Sequence, residues 1–297
     1  MKLLKFKYTN LVLSFFLGFC LFIATTCLFL YLTAPRIPLL GFHGIVDLER
    51  PDQIFAQGQA FQKIAYTKQD LEKVLDYLVR RDYWFLSTQD LYNFFVTKSK
   101  QIPAEYVGRK PIMFSFDDGY KTDYVNLVPI LENLEKKYNR KAKVVLFVNS
   151  GNLANSKNIA STKLSCSELR EGMKKGFYDV QSHGLTHANL TRIDEKTLIK
   201  ELSQAKTILR NCTKDLDPDN QVGAHIAYPY GAANKQVETY ASKYYLSGYL
   251  YDSKILRFCW LKDRYAISRL TINRGKSPEQ LIQMAERSHR ITKNDKC

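Results

Sequence analysis

Short apolar runs bounded by turn residues alternate with segments of helical periodicity along most of this chain, and that alternation restricts its fold more than any other feature. The runs are Ile37–Phe42, Trp84–Leu86, Ile112–Ser115, Val144–Val148, Tyr178–Gln181, Val222–Tyr228, Tyr245–Leu250 and Tyr265–Ile272. Between them, Thr67 to Arg81 places Leu71, Val74, Leu75 and Leu78 on one helical face, with Thr67 as cap and Asp70 in the first turn. Asp194 to Arg210 repeats the pattern through Leu198, Leu202, Ala205 and Leu209. Such a sequence predicts an α/β fold with parallel strands inside and helices outside, in which chemistry collects at the carboxyl ends of the strands.

The amino-terminal segment is different. From Leu11 to Leu32 no charged residue occurs, and at about 1.5 Å per residue such a helix would span roughly 33 Å, close to the hydrocarbon thickness of a bilayer. Lys2, Lys5 and Lys7 precede it, which by the positive-inside rule predicts a cytoplasmic amino terminus over residues 1–10, a transmembrane anchor over 11–33 and an outward domain over 34–297. A cleaved signal peptide is the competing reading. It is disfavoured by the length of the apolar region and by Pro35 directly after the small-residue site Thr33-Ala34. About 264 residues remain after the anchor, a size that suits one α/β barrel, with no repeat or low-complexity tract.

Lys and Arg number 44 against 29 Asp and Glu, a formal charge of +15, and 45% of residues are hydrophobic, which excludes a disordered chain. The excess outside the anchor is read as affinity for anionic lipid head groups or acidic wall polymers, not nucleic acid. The cluster Lys136, Lys137, Arg140, Lys141 and Lys143 is read as a solvated face. Cys20 and Cys27 fall inside the apolar segment, whereas Cys166, Cys212, Cys259 and Cys297 would face an oxidising space, where three pairings are open.

Three motifs sit at the ends of the apolar runs. Phe116-Asp117-Asp118-Gly119 puts two carboxylates side by side after a strand, where one must be raised in pKa, neutralised by a cation or left in water. Ser182-His183-Gly184-Leu185-Thr186-His187 adds two imidazoles, so that a carboxylate and two histidines can make a three-ligand divalent-metal site with a position open to solvent. Tyr228-Pro229-Tyr230-Gly231 is the third. The glutamate that a zinc-protease helix needs after its first histidine is absent, because residue 184 is glycine.

In this order the three motifs resemble those of the polysaccharide deacetylases of carbohydrate esterase family four, the NodB-homology domain, over about Leu39 to Ile282. The resemblance implies a distorted (β/α)7-type barrel, here preceded by one transmembrane helix. It implies one divalent metal ion, zinc first with nickel, cobalt or iron as alternatives, on Asp118, His183 and His187. Asp117 would be the general base, and the backbone N–H of Tyr230 would help hold the oxyanion of an attacked N-acetyl group. The implied substrate is an N-acetylhexosamine polysaccharide, with the membrane and a polysaccharide synthesis or export apparatus as the other expected partners.

Amide cleavage also needs an acid for the leaving amine. Many family members supply a histidine from the last strand, but here that region reads Ser268-Arg269-Leu270-Thr271-Ile272-Asn273. The first strand instead ends Phe42-His43-Gly44, and in a closed barrel the first and last strands are neighbours. His43 is therefore the expected acid, an arrangement similar to the branch that de-N-acetylates poly-β-1,6-N-acetylglucosamine. The family arginine before the Pro-Tyr pair is replaced by Ala227, with Arg269 as a spatial substitute. His225 and His289 match nothing and are read as structural or surface residues, while Tyr120, Tyr228 and Tyr230 are candidates for stacking on sugar rings. Two alternatives stand beside this reading: a catalytically weak glycan-binding protein on the same fold, and a peptidoglycan deacetylase.

Overall fold

The computed structural model describes residues 15–29, 34–50, 61–154 and 162–292. They fall in two compact units, Met1–Pro35 and Arg36–Cys297. In the first, residues 15–29 are helical. Among the described residues no helix is long and apolar enough to cross a membrane. The rest of the expected 11–33 span lies outside the described residues.

The second unit carries β1 (Leu39–Phe42), β2 (Ile45–Val46), β3 (Tyr66–Thr67), β4 (Trp84–Phe85), β5 (Pro111–Asp117), β6 (Val144–Val148), β7 (Tyr178–Ser182), β8 (His225–Ala227), β9 (Ser247–Tyr249) and β10 (Leu270–Thr271). The main sheet runs β10-β1-β5-β6-β7-β8-β9, with β4 beside the start of β5, and every pairing is parallel. Helices cross over between most of these strands, so the eight apolar runs and their α/β alternation are all realised. The short pair β2-β3 is an addition that the sequence pattern did not announce.

The last apolar run, expected as one continuous strand over 265–272, is divided. Its first part pairs with β9 through Ile267 N–H to Gly248 O at 2.9 Å and Leu250 N–H to Ile267 O at 2.8 Å. Its second part, β10, pairs with β1 in the register Leu40–Leu270 and Gly41–Thr271. One segment thus touches both edges of the curled sheet, and the break falls at Ser268-Arg269, where the strip passes from one edge to the other.

Alternation along the strands sorts the core. On β5, Ile112, Phe114 and Phe116 pack outward with Leu71, Val74, Leu75 and Leu78 of the helix Lys68–Arg80, the face expected for it. Met113 points the other way, into an inner cluster with Leu39, Val145, Phe147, Tyr249 and Ile267. Each such buried aliphatic or aromatic side chain contributes about 1.5–3 kcal/mol. The inward register of Met113 continues through Ser115 to Asp117, which is why the first aspartate of the motif, and not the second, ends inside the barrel.

Thr67 caps the helix Lys68–Arg80 by accepting from Asp70 N–H at 3.2 Å, and Asp194 caps the helix Glu195–Thr213 by accepting from Thr197 N–H at 3.0 Å. A disulfide joins Cys166 to Cys212 across a separation of 46 residues; loop-closure entropy assigns it about 4 kcal/mol against the unfolded chain. Cys259 is disulfide-bonded as well, while Cys297 lies outside the described residues.

Candidate active site and metal centre

The carboxyl ends of β1, β5 and β7 and the turn after β8 bring His43, Asp117, Asp118, His183, His187 and Tyr230 to one open pocket of about 470 Å³. Tyr120 lines it as well, whereas Tyr228 and Arg269, also named from the sequence, do not. Three of them hold positive backbone φ without being glycine: Asp118 at 75°, His187 at 67° and Tyr230 at 61°. Such conformations cost roughly 1–3 kcal/mol each and persist where the surroundings impose them.

Ligand atoms of Asp118, His183 and His187 lie within 4.8 Å of one another. The Nε2 atoms of His183 and His187 stand 3.5 and 3.3 Å from Asp118 Oδ1. The His183 Nδ1–H donates to the Ala227 carbonyl at 2.8 Å, which leaves Nε2 as the lone-pair atom facing the carboxylate. Asn149 Nδ2 donates to Asp118 Oδ1 at 3.1 Å and orients it from the other side. Two imidazole nitrogens and one carboxylate oxygen, with the second nitrogen of His183 tied back, are a donor set that fits zinc or a similar divalent ion.

The loop between the two histidines is held from outside. Glu201, buried on the helix Glu195–Thr213, accepts from Leu185 N–H at 2.8 Å and Thr186 N–H at 3.0 Å through one oxygen, and from the Thr186 hydroxyl through the other. Its position was legible in retrospect, since a glutamate at 201 falls on the same helical face as Leu198, Leu202 and Ala205. A carboxylate on a buried face needs partners.

Asp117 is clamped. Arg269, fully buried, donates NH1 to Oδ1 at 2.7 Å and NH2 to Oδ2 at 2.8 Å, and further to Ser115 Oγ at 3.0 Å and the Leu250 carbonyl at 3.0 Å. Burial pushes the Asp117 carboxyl up, but Arg269, aided by His183, outweighs it and holds the group below the ordinary carboxylate range. The arginine missing at Ala227 therefore reaches the same kind of partner from the strip that touches both sheet edges. Asp118 is also buried, yet His183, Lys163, His43 and His187 bring it down to about 2.

His43 lines the same pocket because β1 lies between β10 and β5. Its Nδ1 is 3.4 Å from the Tyr251 hydroxyl, which itself donates to the Gly41 carbonyl at 3.0 Å. Burial lowers the imidazole below its usual value, against the pull of Asp117 and Asp118. Tyr230 is 65% exposed, with its ring 4.5 Å from that of His187, and Tyr120 lines the pocket. Tyr228 corrects one expectation. It is wholly buried, with its hydroxyl beneath Gly248, and cannot meet a sugar. His225, fully buried between Ser247 Oγ at 2.7 Å and Gln89 Oε1 at 3.3 Å, is structural as expected.

Residues 104–248 match the family model described as polysaccharide deacetylase. The chain carries a polysaccharide deacetylase domain. The matched range contains Asp117, Asp118, His183, His187 and Tyr230, whereas His43 and Arg269 join the site only through the fold. A poly-beta-1,6-N-acetyl-D-glucosamine N-deacetylase of Staphylococcus aureus is 25% identical over 190 residues, 61% of this chain and 58% of that protein. The aligned part thus spans little more than half the length of that relative. Among solved structures, a polysaccharide deacetylase from Bacillus cereus superimposes with a TM-score of 0.66 at 23% identity, covering 85% of this chain and 69% of its own. IcaB from Ammonifex degensii gives 0.61 at 16% identity, over 85% and 97% of the two chains. These two structures share the deacetylase domain's fold.

Proposed function

We propose that this chain is a metal-dependent hydrolase that removes N-acetyl groups from an N-acetylhexosamine polysaccharide, poly-N-acetylglucosamine-like, outside the cytoplasmic membrane. The observation that carries the reading is the convergence of Asp118, His183 and His187 beside an Asp117 held ionised by Arg269, in one open pocket.

A divalent ion on Asp118, His183 and His187 would supply Lewis-acid polarisation of the acetyl carbonyl and of the attacking water. Asp117 takes a proton from that water as its oxygen bonds to the carbonyl carbon, and the Tyr230 N–H donates to the oxygen that gains charge. His43 gives a proton to the nitrogen as the carbon–nitrogen bond breaks. Acetate and a free amino sugar are the products. Because Arg269 keeps Asp117 in the deprotonated form at neutral pH, the base is ready without a pH shift. That pairing also answers the departure at Ala227 on which the catalytically weak glycan-binding reading rested.

The Staphylococcus aureus relative directs the substrate proposal toward β-1,6-linked N-acetylglucosamine. The disulfide at Cys166 and Cys212 favours an oxidising compartment, and the uncharged stretch Leu11–Leu32 favours an anchored chain whose catalytic unit faces outward. Acetate release from poly-N-acetylglucosamine, chitin oligomers and peptidoglycan tests the reading; preference for the first supports it, and release from peptidoglycan alone would replace it with the peptidoglycan alternative.

A further inference from the structure

Tyr251 follows β9 and is wedged between two glycines. A Cβ at Gly41, on β1, would come within 2.6 Å of its ring, and a Cβ at Gly231, in the turn after β8, within 2.7 Å of its backbone nitrogen. The ring stands edge-to-face with that of His43 at 5.3 Å, and the Arg269 guanidinium that clamps Asp117 lies 5.4 Å from its centre. The side chain thus adjoins both the proposed acid and the clamp on the proposed base, and it lines the pocket together with His43.

A phenol hydroxyl has a single proton to donate. Tyr251 gives it to the Gly41 carbonyl at 3.0 Å, a closer partner than His43 Nδ1 at 3.4 Å, so toward the imidazole its oxygen only accepts. We infer that Tyr251 is the positioning residue of His43, holding the neutral imidazole in the Nδ1–H tautomer and in one orientation, so that Nε2 is the nitrogen that exchanges a proton with the leaving amine. The inference rests on the deacetylase reading. When the imidazolium gives its Nε2 proton to the sugar nitrogen, the carbon–nitrogen bonding pair stays with nitrogen and the ring is left in the tautomer that Tyr251 already holds. No ring flip or second proton transfer is then needed. The Gly41 carbonyl also accepts from Ile272 N–H at 2.9 Å, so removing the Tyr251 hydroxyl strands no buried acceptor.

The test is Tyr251→Phe, which keeps the ring, in the zinc-loaded full chain. On a β-1,6-linked N-acetylglucosamine pentamer kcat should fall about three- to tenfold, the worth of one hydrogen bond, with KM and zinc affinity little changed. The loss on an activated acetyl ester should be smaller, because its leaving group needs little proton assistance. In a His43→Ala background the same substitution should cost nothing further on the amide. No loss of kcat, equal losses on both substrates, or a full further loss in the His43→Ala background overturns the inference. A second readout needs no turnover. Nitrogen NMR of the histidine-labelled full chain at about pH 8, where imidazoles are mostly neutral, should show His43 protonated on Nδ1 in the wild type and shifted toward the Nε2–H tautomer in Tyr251→Phe, its signal being identified by its disappearance in His43→Ala. An Nε2–H tautomer in the wild type overturns the inference even should the variant fail to fold, and so does an unchanged tautomer in a folded variant. Absence of acetate release by the wild-type chain would refute the deacetylase reading, while the spectra still decide what Tyr251 does to His43.

Discussion

Replacing Arg269 by Met removes the guanidinium that spans the barrel interior while keeping a side chain of similar length. Four hydrogen bonds are lost, two of them to Asp117, and the carboxylate is left buried without its guanidinium counter-charge. Breaking one side of a buried pair costs about 3–5 kcal/mol, and for a domain of this size that lowers Tm by roughly 10 °C. The loss should depend on pH with a definite sign. In the wild type the Asp117 carboxyl sits below the ordinary value of 3.8, so its contribution is complete above that value and disappears as pH falls through the lowered one. In Arg269→Met burial loses its strongest opponent, with only the histidines His183 and His43 left to resist it, and the carboxyl rises, so the folded variant binds a proton more readily. The stability gap between variant and wild type should be widest near pH 7 and should narrow as pH falls toward 4. Urea unfolding at several pH values measures it. A double variant, Arg269→Met with Asp117→Asn, should recover much of the loss, since no charge is then stranded. A single-variant cost below about 1 kcal/mol, well under the range for a broken buried pair, would refute the reasoning, as would a double variant whose losses simply add.

Asp117→Asn should keep stoichiometric zinc binding in calorimetry yet lose about 10²–10⁴ in turnover, the usual worth of general acid–base catalysis; loss of the metal instead would mean that the two aspartates exchange roles. His43→Ala should slow amide hydrolysis far more than hydrolysis of an activated acetyl ester, whose leaving group needs little proton assistance, with equal losses on both pointing to a positioning role. His225, lowered from 6.5 to about 3 by burial, with Lys206 adding to the shift, makes the unfolded chain bind more protons between those values. Stability should therefore be complete above pH 6.5 and decline on acidification toward 3. The decline is worth up to about 5 kcal/mol, and a His225→Gln variant without it would show a flatter urea midpoint between pH 7 and 4.

The strands and the principal helices were legible because the apolar runs are closed by turn residues and alternate with segments of helical period, although the run 265–272 hid its division between two sheet edges. Thr67 and Asp194 mark helix starts that the structure keeps to the residue. The metal donors were legible for a local reason, since Asp118 and His183 lie directly past strand ends and His187 follows within the same loop as His183. Arg269 was only half legible: its availability followed from the absence at Ala227, but its clamp on Asp117 depends on a strip that changes sheet edge, which no periodicity encodes. Lys163 carried no signal at all. It lies in a connection between β6 and β7, and its approach to Asp118 is set by backbone pairing over a separation of 45 residues. Tyr228 failed in the opposite direction, because adjacency to Tyr230 in sequence says nothing about which of two neighbouring rings the strand turns into the core.

On the proposed function, Asp118, His183 and His187 hold a divalent ion without which no acetyl group leaves. Acetate release from a β-1,6-linked N-acetylglucosamine oligomer, followed as the chain is stripped with chelator and titrated back with zinc, tests it most directly. The stripped protein should release no acetate, recovery should saturate at one ion per chain, and His183→Ala should not recover. Undiminished release from a metal-free preparation, or full recovery in His183→Ala, would contradict it.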